Sequence, residues 1–415
     1  MEVLQDTYKD TKIGRITKDW KVVKMKEVVS FSQGTQISNS NLFRENVENK
    51  LYRYLYISDF FTDRKIFYTT EKRTNYLVLE SDLVIVNTGN TTGKLLTGKT
   101  GILCNNAFKI TLNNESLSQL YTKQYLDSHF YKKQIANILN SGGQPHLGHK
   151  NMGMVWIPVP PLPEQQKIAA ILSTVDEQIS TTDKIIEKSK ELKKGLMQKL
   201  FSEGIGHTEF KDTKIGRIPK DWETLKINQV ADCYGGTTPS TVVEEYWNGN
   251  ILWATPSDIT KNKSEYLLDT NRKITEQGRA SKNLRFVKKN GLLMTSRASI
   301  GFLNISNGDV VTNQGFINIE CKDNFHYKFF YYWVLDNRKK LLSLSQGSTF
   351  LELNRKTFAK INIPVPPLPE QQKIADLLSE ADAKIEKEQT QKSQLEALKK
   401  GLMQQLLTGK KRVQV

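Results

Sequence analysis

The sequence predicts an α+β chain: two globular domains of mixed helix and strand, separated by two long coiled-coil helices, arranged as a pseudo-twofold tandem repeat. Three features carry this prediction: duplicated segments, proline-led helix starts followed by an apolar seam, and two blocks rich in β-formers and turns.

The duplication is read directly. KDTKIGRITKDW at 9–20 returns as KDTKIGRIPKDW at 211–222, with Thr17 opposite Pro219 as the one change. IPVPPLPEQQKIAAILSTVDEQI at 157–179 returns as IPVPPLPEQQKIADLLSEADAKI at 363–385, and LKKGLMQKL at 192–200 as LKKGLMQQL at 398–406. Between these segments only loose correspondences survive, such as Gly93 with Gly301 and Phe108 with Phe316. The order is a shared N-terminal segment (1–20), a first variable domain (21–156), a proline-led long helix (157–206), a shared lead-in (207–222), a second variable domain (223–362) and a second proline-led long helix with a basic tail (363–415). Connectors normally drift faster than cores. Connectors that stayed alike therefore point to a partner that grips them, and a twofold grip to two copies of it.

Each helix opens with Pro-Glu-Gln-Gln, at Pro163 and Pro369. Proline suits a first turn whose N–H is unused, and the glutamate complements the positive end of the helix dipole. Ile168, Leu172, Val175, Ile179, Ile186 and Leu196 then recur at seam positions, as do Ile374, Leu378, Ala381, Ile385, Leu395, Leu402 and Leu406 in the second copy. Runs 164–201 and 370–407 would each extend about 57 Å at ~1.5 Å per residue. Gly195 and Gly401, inside LKKGLM, suggest close backbone contact between helices or a frayed end.

The variable domains carry short runs, LYRYLYISDFF, YLVLESDLVIVNTG and GILCNNAFKITL in the first and NILWATPSDIT, GLLMTSRASIGFL and VVTNQGFINIE in the second, which read as strands bounded by turn residues. SLSQLYTKQYLDSHFYKKQIANIL and HYKFFYYWVLDNRKKLLSLS read as helices.

Charge follows the same division. The chain has 60 Lys and Arg against 44 Asp and Glu, a net charge of +16, which favours a polyanionic partner such as nucleic acid. Residues 21–156 hold 17 basic and 10 acidic side chains, and residues 223–362 hold 19 and 13, while the helices are balanced. No signal pattern or long apolar stretch is present, so a cytoplasmic location is expected. Cys104, Cys233 and Cys321 are too few and too scattered for a disulfide framework or a CxxC site, and read as buried or bystander thiols.

No catalytic constellation emerges. Gly89 to Lys94 falls one residue short of a phosphate loop and has Leu95 where the hydroxyl belongs. The Pro-Pro pairs occur only in VPPLP, so the tetrad that grips adenine in a methyltransferase is missing. Glu191 and Lys193 resemble part of a nuclease motif but fall on a coiled-coil helix. His146 and His149 lack further metal ligands. VPPLP reads as a rigid lead-in that aims each helix. For DNA reading, side chains able to match base edges or neutralise phosphates are needed. The candidates are Arg44, Arg53, Arg64, Arg73, Asn90, Lys94, Gln144 and His146 in the first domain, and Arg272, Arg279, Arg285, Ser296, Arg297, Gln346 and Arg355 in the second.

With its repeated IPVPPLPEQQKIA helix starts, its IGRIPKDW-type lead-ins and its variable–helix–variable–helix order, the whole chain resembles the specificity subunit, HsdS, of type I restriction-modification enzymes. The resemblance implies two target-recognition domains, each binding one half of a bipartite, asymmetric site on double-stranded DNA. It implies helices that pair antiparallel, set the spacer and dock two modification subunits, with restriction (translocase) subunits joining the complex. The chain itself would be non-catalytic and bind no cofactor. S-adenosylmethionine, ATP and Mg2+ would be held by partner subunits for adenine methylation and ATP-dependent cleavage. A self-contained restriction or methylation enzyme would need the missing motifs, and a coiled-coil adaptor without DNA specificity would spread its charge along the helices.

Overall fold

The computed structural model describes residues 7–46, 51–113, 115–139, 146–345 and 351–414. The chain divides into two compact units, Met1–Asp183 with Thr390–Val415, and Lys184–Gln389. Each unit thus combines one variable domain with the first part of one long helix and the last part of the other. Among the described residues, no helix is long and apolar enough to cross a membrane.

In the first unit, the lead-in folds as a hairpin of Tyr8–Thr11 and Gly14–Thr17, turned at Gly14 with φ of +106°. Strand Lys21–Lys24 then pairs antiparallel with Trp156–Val159. The variable domain is therefore tied together where it begins and ends. Two four-stranded sheets lie between these ties. One has the spatial order Val29–Gln33, Ala107–Leu112, Leu83–Val86, Leu95–Leu96, and the other Phe67–Thr69, Tyr52–Leu55, Gly101–Leu103, Leu77–Val78. Helices Gln119–Asp127 and His129–Leu139 follow.

The second unit repeats the plan. Its hairpin is Phe210–Thr213 with Gly216–Pro219, and its tie is Glu223–Lys226 with Asn362–Val365. Its sheets are Ala231–Tyr234, Phe316–Cys321, Leu292–Thr295, Leu303–Ser306, Tyr266–Leu267 and the three-stranded Arg272–Ile274, Trp247–Ala254, Val310–Thr312. Helices Tyr327–Asp336 and Arg338–Ser343 complete it. Two short runs differ from the sequence expectation: in LYRYLYISDFF the strand stops at Leu55 and Ile57–Phe60 is a turn of 3-10 helix. In NILWATPSDIT the strand stops at Ala254 and Pro256–Lys261 is helical, because Thr255 and Asp258 form a capping box around Pro256. The residues leading into VPPLP do more than aim a helix, since WIPV (Trp156–Val159) and NIPV (Asn362–Val365) are the closing strands of the two ties.

The long helices span Leu162–Glu203 and Leu368–Leu406. They run antiparallel within each unit, as the ion pairs require: Asp176 pairs with Lys399 and Asp183 with Lys392 in the first unit. In the second, Lys193 pairs with Asp382, and Ser189 donates to Glu388. The seam is buried most firmly near each helix start. Ile168 and Leu172 join Met403, Leu406 and Leu407 in the first core, and Ile374 and Leu378 join Leu200 and Phe201 in the second. Val175, Ile186 and Ile385 are buried, whereas Ile179, Leu196, Ala381, Leu395 and Leu402 are half-buried. Much of the predicted seam is therefore domain core. The expectation of close helix contact at the LKKGLM glycines does not hold. A Cβ at Gly195 or Gly401 would meet nothing within 4 Å, and both residues lie inside continuous helix rather than at a frayed end.

Candidate nucleic-acid interface

The duplicated Glu-Gln of each helix start is the device that mounts a variable domain. Glu164, almost fully buried, accepts a bond from the Trp20 indole N–H at 3.1 Å and two from Arg412 at 2.7 and 3.0 Å. Glu370 accepts from Trp222 at 2.9 Å, from the Ile205 N–H at 2.9 Å, and bonds His207 at 2.9 Å. Both tryptophans are wholly buried, so their indole N–H groups need these partners. The one change between the lead-ins has a matching cause. The Thr17 N–H donates to the Thr408 carbonyl of the C-terminal tail, a bond Pro219 cannot make.

The neighbouring glutamine reaches into the variable domain itself. The Gln165 side chain accepts from the Ser118 N–H and donates to the Ser116 and Pro160 carbonyls, while Gln371 does the same with the His326 N–H and the Asn324 and Pro366 carbonyls. Every partner is a main-chain atom. An anchor of this kind holds a constant backbone while leaving the domain's side chains free to diverge.

A second joint lies further along the helices. Asp176 accepts from Gln124 and Lys399, and Lys399 also binds Asp127. In the second unit Asp382 accepts from Tyr332 and Lys193. Burial, which would lower the Lys399 pKa, is outweighed by its two carboxylate bonds, so the ammonium is held above its usual range.

Loops at strand ends supply an exposed edge in each unit. In the first, the loop 34–36 lies against the loop 104–106, through a Thr35 N–H bond to the Leu103 carbonyl at 2.8 Å and a Gly34 N–H bond to the Ala107 carbonyl at 3.0 Å. The turn after strand Leu83–Val86 joins them: the Asn87 N–H donates to the Asn106 carbonyl, and Thr88 bridges His146. The second unit repeats three of these four links. Thr237 N–H bonds the Thr312 carbonyl at 2.9 Å, Ser296 N–H the Gly315 carbonyl, and Arg297 bridges Glu352. A Cβ at Gly34 would sit 1.9 Å from the Cys104 carbonyl oxygen, and one at Gly236 2.0 Å from that of Thr312, so both loops require glycine there.

The residues nominated from sequence distribute unevenly. His146 and Arg297 stand exposed at the loop edges, whereas Ser296 is buried beneath its edge. Arg73 reaches the first edge from behind, bonding the Thr35 hydroxyl at 2.6 Å while pairing with Glu71. Asn90 and Lys94 line a cleft of about 690 Å³ together with Lys132, Asp176 and Lys399, and the Lys94 ammonium lies over the Phe61 ring. Arg44 packs over Phe67, and Arg64 is exposed in the bend before strand Phe67–Thr69. Arg53 pairs with Asp63, Arg279 with Glu276, Arg285 with Glu320 and Arg297 with Glu352, so these cations are already engaged. Arg272 lies 3.6 Å over the Trp247 ring, and Arg355 begins a short helix. Gln144 and Gln346 lie outside the described residues. His149 turns inward against Phe31 and Phe108, and burial holds its imidazole below the usual range.

Residues the sequence did not single out occupy the same edges. Exposed Asn105 donates to Gln36 at 3.5 Å in the first unit, and the Thr238 hydroxyl donates to exposed Gln314 at 2.6 Å in the second. Their only sequence signal is a glycine two residues before Gln36 and Thr238.

A model of the type I restriction modification DNA specificity domain matches residues 17–191 and 219–397. The chain is 42% identical over 193 residues to the type I restriction enzyme MjaIX specificity subunit of Methanocaldococcus jannaschii, a match spanning 46% of this chain and 45% of that one. It is 29% identical over 429 residues to the MjaVIII specificity subunit of the same organism, across 99% and 97% of the two chains. Its fold resembles the type I restriction-modification system S subunit from M. genitalium, with a TM-score of 0.56 at 15% identity over 94% of this chain and 96% of that one.

Proposed function

Since the chain belongs to the type I restriction-modification DNA specificity family and is a specificity subunit, we propose that each unit reads one half of a bipartite, asymmetric DNA site. The observation that carries this is the loop edge presented twice on one backbone plan with different side chains. Two such edges suit two different half-sites. The excess positive charge of the variable domains supplies the phosphate attraction that such binding needs.

The long helices set the spacer and dock two modification subunits, with restriction subunits joining them. S-adenosylmethionine, ATP and Mg2+ belong to those partners, and this chain's part is recognition rather than catalysis. What its own residues do is position. The glutamate, glutamine and aspartate joints hold each variable domain on its helix through contacts that do not depend on which bases it reads.

The test exchanges residues 21–156 for the matching domain of a relative and maps methylated sites in cells carrying either gene. One half of the modified motif should change and the other persist. An unchanged motif would overturn the proposal.

A further inference from the structure

We propose that the surface pairs Gln36–Asn105 and Thr238–Gln314, of which Thr238 alone is half-buried, are the base-reading contacts of the two units, one pair for each half-site, and that each presents an amide to an adenine. The inference rests on the DNA-reading function proposed above and adds to it the residues that discriminate.

The two pairs occupy equivalent places. Gln36 and Thr238 each lie two residues beyond the glycine that their loop requires, and Asn105 and Gln314 each lie in the connection between Gly101–Leu103 and Ala107–Leu112 or between Val310–Thr312 and Phe316–Cys321. Each loop is also pinned from behind by an aromatic side chain of the second sheet. The Tyr54 hydroxyl donates to the Thr35 carbonyl at 2.9 Å, and the Trp253 indole N–H to the Thr237 carbonyl at 3.2 Å. The backbone beneath the pairs is therefore fixed twice by the same construction, and what differs between the units is the pair itself. Two different half-sites approach such a scaffold differently, and the two amides are carried on different side chains accordingly.

Their chemistry fits base edges rather than phosphates. When Asn105 donates to the Gln36 amide oxygen, the Gln36 N–H groups and the Asn105 oxygen remain available. When Thr238 donates to the Gln314 oxygen, the Gln314 N–H groups and the second oxygen lone pair remain. Each pair thus offers a neutral donor and acceptor side by side, the complement of adenine N7 and N6 in the major groove. A neighbour holds each amide in place, which limits the rotamer freedom lost on binding. By contrast, Arg297 at the second edge is already paired with Glu352.

The test uses the complete complex with its modification subunits. It compares wild type with Gln36→Ala/Asn105→Ala, with the graft Gln36→Thr/Asn105→Gln, and with Gln314→Ala. Methylated sites are mapped genome-wide, and binding is measured on duplexes carrying the wild-type motif and each single-base change, over a range of salt. The double alanine variant should lose about 5- to 150-fold in discrimination at one adenine position of one half-site, leaving the other half-site and the salt slope unchanged, whereas the graft, which carries the second unit's pair, should keep that adenine. Gln314→Ala should do the same in the opposite half-site, so a folding failure in one unit leaves the other as a test. Uniform weakening on all sequences with a shallower salt slope would make the pairs phosphate contacts and overturn the inference. So would an unchanged motif in the alanine variants. A wild-type complex that modifies no defined sequence would instead sink the DNA-reading function itself.

Discussion

Removing the Arg412 guanidinium should destabilise the first unit more than removing His207 destabilises the second, although both groups serve equivalent glutamates. Glu164 is 3% exposed and has Arg412 and the Trp20 indole as its donors. Arg412→Ala leaves a buried carboxylate with one of them. Charge-assisted bonds contribute about 1.5–3 kcal/mol each, and since Arg412 is 45% exposed the loss is discounted to about 2–3 kcal/mol in total. Glu370 keeps both Trp222 and the Ile205 N–H after His207→Ala, so that change should cost about 1 kcal/mol. In units of this size about 1 kcal/mol moves a melting temperature by roughly 2–4 °C. The expected falls are therefore about 4–12 °C for the first unit and about 2–4 °C for the second. Calorimetry on the full chain, with hydrogen exchange of the Trp20 and Trp222 indoles assigning each transition, reads them separately. Equal losses, or a larger one for His207→Ala, would refute the reasoning.

Three further outcomes are expected. Gly195→Ala and Gly401→Ala should each stabilise the chain by about 0.5–1 kcal/mol in urea titrations, because both sites are interior to helices with room for the added methyl, whereas Gly236→Ala should destabilise the second unit and weaken its DNA binding. Asp127 is buried enough to raise its pKa, but bonds to Lys399 and Lys132 outweigh this and hold the carboxyl below its usual range. The stabilisation it contributes is full above about pH 3.9 and is lost as the pH falls through the lower folded value, so Lys399→Met should flatten the acid limb of a stability–pH curve. Burial pushes the Cys233 thiol up to about 12 and raises Cys104 and Cys321 as well. Iodoacetamide at pH 8 should therefore label the native chain slowly and the unfolded chain at all three thiols.

The architecture was legible because the duplication is almost verbatim where the helices start. Proline, glutamate and the apolar period together specify a helix whatever follows. What the glutamate and glutamine do was not legible, since their partners are Trp20, Trp222 and main-chain atoms far off in sequence. The LKKGLM glycines misled because repetition in a helix implies contact only if something lies opposite, and in this fold nothing does. Among the nominated cations, composition could not distinguish free arginines from those already spent on neighbouring carboxylates, such as Arg279 on Glu276. The Gln36 and Thr238 edges escaped notice because polar residues in loops are commonplace. Only the strand pairings bring them to equivalent positions.

The closing of the first unit by residues 390–415 also bears on the order of folding during synthesis. A ribosome adds about 5–20 residues per second and lets N-terminal domains fold first as a rule. Here residues 184–389 can assemble completely while Leu172 and Trp20 still await Met403, Leu406 and Leu407. The part made first is the part finished last, so the nascent chain carries an open apolar surface until residues 403–407 have emerged, and losing those residues would injure the domain encoded farthest from them.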